Sequence, residues 1–129
     1  VVLLIGVNNG RNPEVPAAIR KIVEQIHTRL PHTKVLLLGI FPHGATPDQT
    51  PWTASARAHI VAVNKEIAGL DDGSRTRFLD IGGKFLQPDG SISKEVMPDG
   101  LHPAGPGYQI WADAMQPLLL EMLGAQKES

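Results

Sequence analysis

Val1-Val2-Leu3-Leu4-Ile5-Gly6-Val7-Asn8-Asn9-Gly10 is the stretch that decides the fold. Aliphatic residues run on without polar alternation until Asn-Asn-Gly breaks them. Alternation marks a strand with one wet face; its absence marks a strand covered on both faces, as in a parallel sheet between helices. Lys34-Val35-Leu36-Leu37-Leu38-Gly39-Ile40 repeats the pattern, and Arg77–Ile81 is a shorter third copy. Between these runs the apolar period changes to that of a helix. Val15, Ile19, Ile22, Val23, Ile26 and Leu30 share one face of a helix opened by Asn12-Pro13 or Val15-Pro16 and stopped by Pro31. Trp52, Ala56, Ile60, Val63 and Ile67 share a face of a second, from Thr50-Pro51 to about Leu70. Tyr108, Trp111, Ala112, Met115, Leu118, Leu119 and Met122 give the buried face of a third, which starts near Ala104–Gly107 and is expected to kink at Pro117.

The order β-α-β-α-β-α predicts an α/β, three-layer sandwich with a parallel sheet and right-handed crossovers, residues 1–129 forming a single domain. In such sheets the ligand site lies beyond the carboxyl ends of the strands. Three connections converge there: Asn8–Asn12, Phe41–Pro51 and Gly82–Pro103. The first residues belong inside a sheet, with no charged leader and no cleavage motif, so the chain reads as the remainder of a longer one.

Composition excludes several classes. The 129 residues are 42% hydrophobic and 19% charged, globular values, and a net charge of -1 with interspersed signs gives no nucleic-acid or membrane-surface footprint. With no cysteine, disulfides, thiolate catalysis and cysteine-ligated zinc are excluded. No His/Asp/Glu cluster has metal-ligand spacing, so neither a metal nor a cofactor is expected. No apolar run is long enough to span a bilayer. A soluble protein is expected, bacterial cytoplasmic or secreted.

Asp99-Gly100-Leu101-His102-Pro103 lies in the third converging connection. A carboxylate three residues before a histidine places an orienting acid and a general base on one turn, the proton machinery of nucleophilic ester hydrolysis. Of the other histidines, His27, His32 and His59 read as solvated surface and His43 as part of a turn. Asn8, directly after the first strand, puts an amide donor at the strand's carboxyl end, where an oxyanion forms; the plainer alternative is a left-handed Asn-Asn-Gly turn. Phe41, Trp52, Met97 and Leu101 flank the converging loops and are candidate pocket walls, with core packing favoured for Trp52 and Met97. Ser55, Ser74, Ser91, Ser93 and Ser129 all lack the strand–turn–helix setting that presents a nucleophile.

Gly6-Val7-Asn8-Asn9 and Asp99-Gly100-Leu101-His102-Pro103 resemble the third and fifth motif blocks of the SGNH (GDSL-type) hydrolases. The framing segments Leu36–Pro42, Phe78–Ile81 and Pro88–Ser93 are similar to the branch holding the catalytic subunits of intracellular platelet-activating-factor acetylhydrolase and bacterial acetylesterases. The resemblance implies a flavodoxin-like sheet of order 2-1-3-4-5, of which this chain supplies the last three strands. It implies His102 as general base, Asp99 as the group orienting it and Asn8 as an oxyanion-hole donor; Phe41 and Leu101, from their place beside the converging loops, are the expected substrate contacts. It implies a serine esterase for short acyl, above all acetyl, esters of a carbohydrate, a lipid or a small alcohol, working through an acyl-enzyme. The family's Gly-Asp-Ser serine is not in this sequence, so the expectation is that a preceding segment supplies it and pairs with the Val1–Val7 edge; homo-oligomers are admitted. The alternative is a non-catalytic binding or assembly module that uses that edge.

Overall fold

Leu37 sits on the central strand of a three-stranded parallel sheet: it has a strand on each side, and none of its surface is exposed. The computed structural model describes residues 1–9, 11–46 and 51–124, with backbone only at 51 and 52. The strands are β1 (Val2–Leu3), β2 (Val35–Leu38) and β3 (Thr76–Leu79), in the order β1-β2-β3. Val2 and Leu3 pair with Leu36 and Leu37, and Val35 to Leu38 pair with Thr76 to Leu79. The helices are α1 (Val15–Arg29), α2 (Pro51–Ile67, continued by a 3-10 turn at Ala68–Leu70) and α3 (Gly105–Leu123). The chain divides into two compact units, Val1–Phe41 with Ala58–Asp80, and Pro42–Arg57 with Ile81–Ser129.

In the first unit, β2 is apolar and buried throughout, as its unalternating sequence demands. Val15 and Ile19 of α1 and Ile60, Val63 and Ile67 of α2 close on Leu37 and Ile40, and Leu3, Leu70 and Phe78 pack at the margin. Pro16 occupies the first turn of α1, where its missing N–H costs nothing, so the helix opens at the second of the two proline signals. Asn64 on α2 is buried and bridges the end of β2. Its Nδ2 donates to Ile40 O at 2.9 Å, and Ile40 N–H donates to its Oδ1 at 2.8 Å, so one amide closes both main-chain groups that the sheet leaves open. Gly6, at φ +119°, turns the chain beneath Ile40: a Cβ there would lie 2.9 Å from Ile40 Cδ1, which leaves room for glycine alone.

The structure corrects two expectations. Val1–Val7 is the exposed edge that was expected, but it is not a strand throughout. Only Val2–Leu3 pairs, at the sheet edge, and Val1, Val2, Ile5 and Val7 are 39–53% exposed. An unalternating run shows that a segment is fit to be covered; the covering needs neighbours on both sides. His27 and His59 are not solvated surface either: His27 is half-buried, with Nε2 2.8 Å from Thr76 Oγ1 on β3, and His59 is half-buried with its Nε2 out of solvent.

In the second unit the connection from Gly82 to Pro103 carries its own small core. A 3-10 turn at Gly82–Phe85 buries Phe85, and Ile92 and Met97 are buried further along. α3 starts with proline in its first turn, runs through Pro117, and ends on Gly124 in the left-handed conformation. Its expected apolar face is only partly covered. Met122 is buried, Trp111, Met115, Leu118 and Leu119 are half-buried, and Tyr108 is exposed with its ring stacked on Trp111 at 6.1 Å. Residues three apart on a helix are surface neighbours, so these two rings cover each other in place of a core contact.

Replacing Leu37 with alanine is expected to cost about 2–5 kcal/mol, because a cavity at the sheet centre cannot collapse against flanking strands. Urea unfolding should show the loss as a lower midpoint at unchanged slope. A shift near zero would mean that Leu37 does not occupy the centre of the sheet and that the strand order β1-β2-β3 is wrong.

Candidate active site

The second unit builds its acid–imidazole corner from a chain of turns. Ser93 O accepts from Val96 N–H and Met97 N–H, and Ser93 Oγ accepts from Glu95 N–H. Met97, 1% exposed, anchors this turn, and its carbonyl accepts from Gly100 N–H at 2.9 Å. Asp99 lies inside that second turn and organises the three residues after it. Its Oδ1 accepts from Leu101 N–H at 2.9 Å and from His102 N–H at 2.8 Å, the Asx geometry that a short carboxylate side chain favours. Its Oδ2 stands 2.6 Å from His102 Nδ1. Ala104 N–H then donates to Val96 O, which closes the loop just before α3.

This geometry orients both groups. The His102 main-chain N–H, the His102 ring and the Leu101 N–H, in that order of effect, hold the Asp99 carboxyl well below the usual carboxylate range. An ionised Asp99 accepts, so neutral His102 carries its proton on Nδ1 and turns a bare Nε2 outward. The side chains are 76% (His102) and 57% (Asp99) exposed, so the imidazole is open to a reaction partner. Among the described residues no hydroxyl is bonded to His102 Nε2.

The remaining predicted site residues are placed as follows. Asn8 is exposed, in a 3-10 turn at Val7–Asn9 that begins four residues past the end of β1; Asn9 N–H donates to Gly6 O there. Only glycines have positive φ among the described residues, so Asn8 is not in a left-handed turn, the plainer alternative for the Asn-Asn-Gly stretch. Phe41 is buried, 8% exposed, three residues past β2. Leu101 is half-buried between Asp99 and His102. Met97 is core, as favoured, and the side chain of Trp52 and residues 47–50 lie outside the described residues. Asp99, His102 and Leu101 thus come together in the second unit, and Asn8 and Phe41 belong to the first.

Sequence reasoning missed two residues. Asn64 had a readable signal: it lies four residues after Ile60 on the buried stripe of α2, where a polar side chain must find partners. Arg57 had none. Its guanidinium donates to His43 O at 3.0 Å, Gly44 O at 2.6 Å and Gly90 O at 2.5 Å, all main-chain acceptors that no residue type announces. The same guanidinium, after burial itself, pushes the half-buried His43 imidazole below its ordinary pKa.

The strands form a parallel sheet, and the last helix is entered from an Asp-x-x-His turn, as the resemblance to the SGNH hydrolases leads one to expect. Residues 1–110 match the GDSL-like lipase/acylhydrolase family, and the chain belongs to that family. Among curated proteins it is 33% identical over 126 residues to platelet-activating factor acetylhydrolase IB subunit alpha2 of Rattus norvegicus, covering 95% of this chain and 52% of that protein. To the alpha1 subunit of Homo sapiens it is 35% identical over 125 residues, with the same coverage of 95% and 52%. The chain therefore spans about half the length of these relatives. Among solved structures, a GDSL-like lipase from Bacteroides thetaiotaomicron superposes with a TM-score of 0.71 at 20% identity, over 94% of this chain and 62% of that one, a likeness of fold. No helix among the described residues is long and apolar enough to cross a membrane.

Proposed function

We propose that this chain carries the acid–base half of a serine ester hydrolase acting on short acyl esters, acetyl esters above all. The observation that carries the reading is the 2.6 Å approach of His102 Nδ1 to Asp99 Oδ2, which leaves Nε2 as an exposed base. Nε2 takes the proton of a serine hydroxyl as its oxygen attacks the ester carbonyl. The carbonyl electrons move onto oxygen, and the Asn8 amide donates to the oxyanion. Collapse of the intermediate breaks the C–O bond, and imidazolium returns the proton to the leaving alcohol. Water activated by the same Nε2 then releases the acid and restores the serine. Asp99 stays ionised throughout and stabilises the imidazolium. Leu101, half-buried beside His102, is the residue proposed to contact the acyl group. The substrate is an acetylated carbohydrate, lipid or small alcohol.

The serine is proposed to come from a Gly-Asp-Ser segment that precedes Val1 in the gene product and pairs with the β1 edge. The relatives' twofold greater length supports this. The exposed side chains of Val1, Val2, Ile5 and Val7 also favour a second reading, a binding module that uses this edge without catalysis. Hydrolysis of p-nitrophenyl acetate separates the two. Turnover is expected from an N-terminally extended polypeptide and not from the 129-residue chain. Inactivity of both would favour the binding module.

A further inference from the structure

We propose that Arg57 is the positioning residue of the Asp99–His102 pair. Arg57 lies on α2, in the same compact unit as the pair, and touches neither member. Its fork clamps His43 O and Gly44 O on one segment and Gly90 O on another, three acceptors that a planar guanidinium with five donors can serve together. The clamped segment bears on the Asp99 turn by two contacts. Gly44 N–H donates to Gly100 O at 2.7 Å. Gly100, at φ +73°, lies so close that a Cβ would sit 2.9 Å from Ala45 N, against main chain that has no rotamer to yield. Ala45 O in turn accepts from Ile92 N–H at 2.8 Å, two residues past the clamped Gly90. Gly100 is the residue between Asp99 and Leu101, so its placement sets where the carboxylate meets the Leu101 and His102 N–H groups and the imidazole. The pair's side chains are largely exposed, so they are held mainly through the main chain of their turn. One anchor of that turn is the Met97 carbonyl that accepts from Gly100 N–H; the other is the path through Gly100 and Gly44 to Arg57.

The activity arm of the test rests on the esterase reading; the spectroscopic arm does not. In the extended polypeptide with 15N-labelled histidine, long-range nitrogen–proton correlation of the His102 ring reads its tautomer, with Asp99→Asn as the reference for a lost orienting carboxylate. Arg57→Met and Arg57→Lys are both expected to move the ring from the Nδ1–H form toward a tautomer mixture. They are expected to lower kcat for p-nitrophenyl acetate roughly 10- to 100-fold, with KM within about twofold, as for a small displacement of a reacting group. Gly100→Ala, which pushes on the same path from the other end, should move the ring in the same direction. A single ammonium cannot reach three carbonyls, so lysine should not restore the wild-type signal. An unchanged ring in both Arg57 variants overturns the proposal, as does full restoration by lysine. Global unfolding of both variants by far-UV circular dichroism also overturns it, because the guanidinium would then be a general stabiliser. If the wild type hydrolyses no ester, the esterase reading fails while the ring still decides the role of Arg57.

Discussion

Replacing His102 with alanine is expected to lower kcat for p-nitrophenyl acetate by roughly 10^4- to 10^6-fold in the N-terminally extended polypeptide, the range seen when the base of a hydrolytic triad is deleted. The size of the loss follows from the geometry. Among the described residues Nε2 has no hydrogen-bond partner, and in the proposed mechanism it serves both half-reactions: it takes the serine proton, returns it to the alcohol, and then activates water. KM should change little, because the imidazole's contribution is made in the transition state. The fold should be untouched, since the ring is mostly exposed and its one side-chain partner is Asp99. Steady-state kinetics with a thermal melt checks both points. Retention of even a tenth of the wild-type rate would remove His102 from the mechanism.

Asp99→Ala is expected to cost less, roughly 10^3- to 10^4-fold in kcat. The variant loses the acceptor that fixes the Nδ1–H form and the charge that stabilises imidazolium, yet keeps a base. It also removes both Asx bonds, so the Leu101 and His102 N–H groups turn to water and the turn loosens. The charge on Asp99 has a pH consequence. Its carboxyl is depressed in the folded state, so its stabilising effect is present above the unfolded value of about 4 and is lost only as pH falls through the lower folded value. Over the ordinary acid range Asp99 therefore remains charged, and its own protonation should add nothing to the acid side of the pH–rate profile. A two-proton dependence there, or full activity in Asp99→Ala, would falsify the role assigned to Asp99.

These two predictions depend on the most legible part of the molecule. The Asp99–His102 pair is local: the acceptor, the two N–H donors and the ring lie within four consecutive residues, so residue type and spacing nearly specify the contact. The β2 strand was legible for a different reason. Four aliphatic residues in a row suit a position covered on both faces, and Val35–Leu38 are buried without exception. Val1–Val7 carried the same signal and met a different fate. It pairs along one side only, and much of it stays exposed, because burial depends on which segments come to lie beside it. On α3 the helical period was right and the burial of its face was not: Tyr108 meets Trp111 and stays in the open. Periodicity locates a face; it does not say how completely the rest of the chain covers it.

Residue types and their spacing were enough to specify a parallel α/β order of elements and an acid–imidazole turn ahead of the last helix, because both are written in side chains that are neighbours along the chain or share one period. Tertiary structure alone decided that Asn64 closes the end of β2, that Gly100 is seated against Gly44 and Ala45, and that Arg57 clamps the segments that hold it there. Those contacts run from side chains to main-chain groups, or between main-chain groups, far apart in sequence. Every residue offers a main-chain carbonyl, and all but proline an N–H, so no pattern of residue types marks which of them will be used.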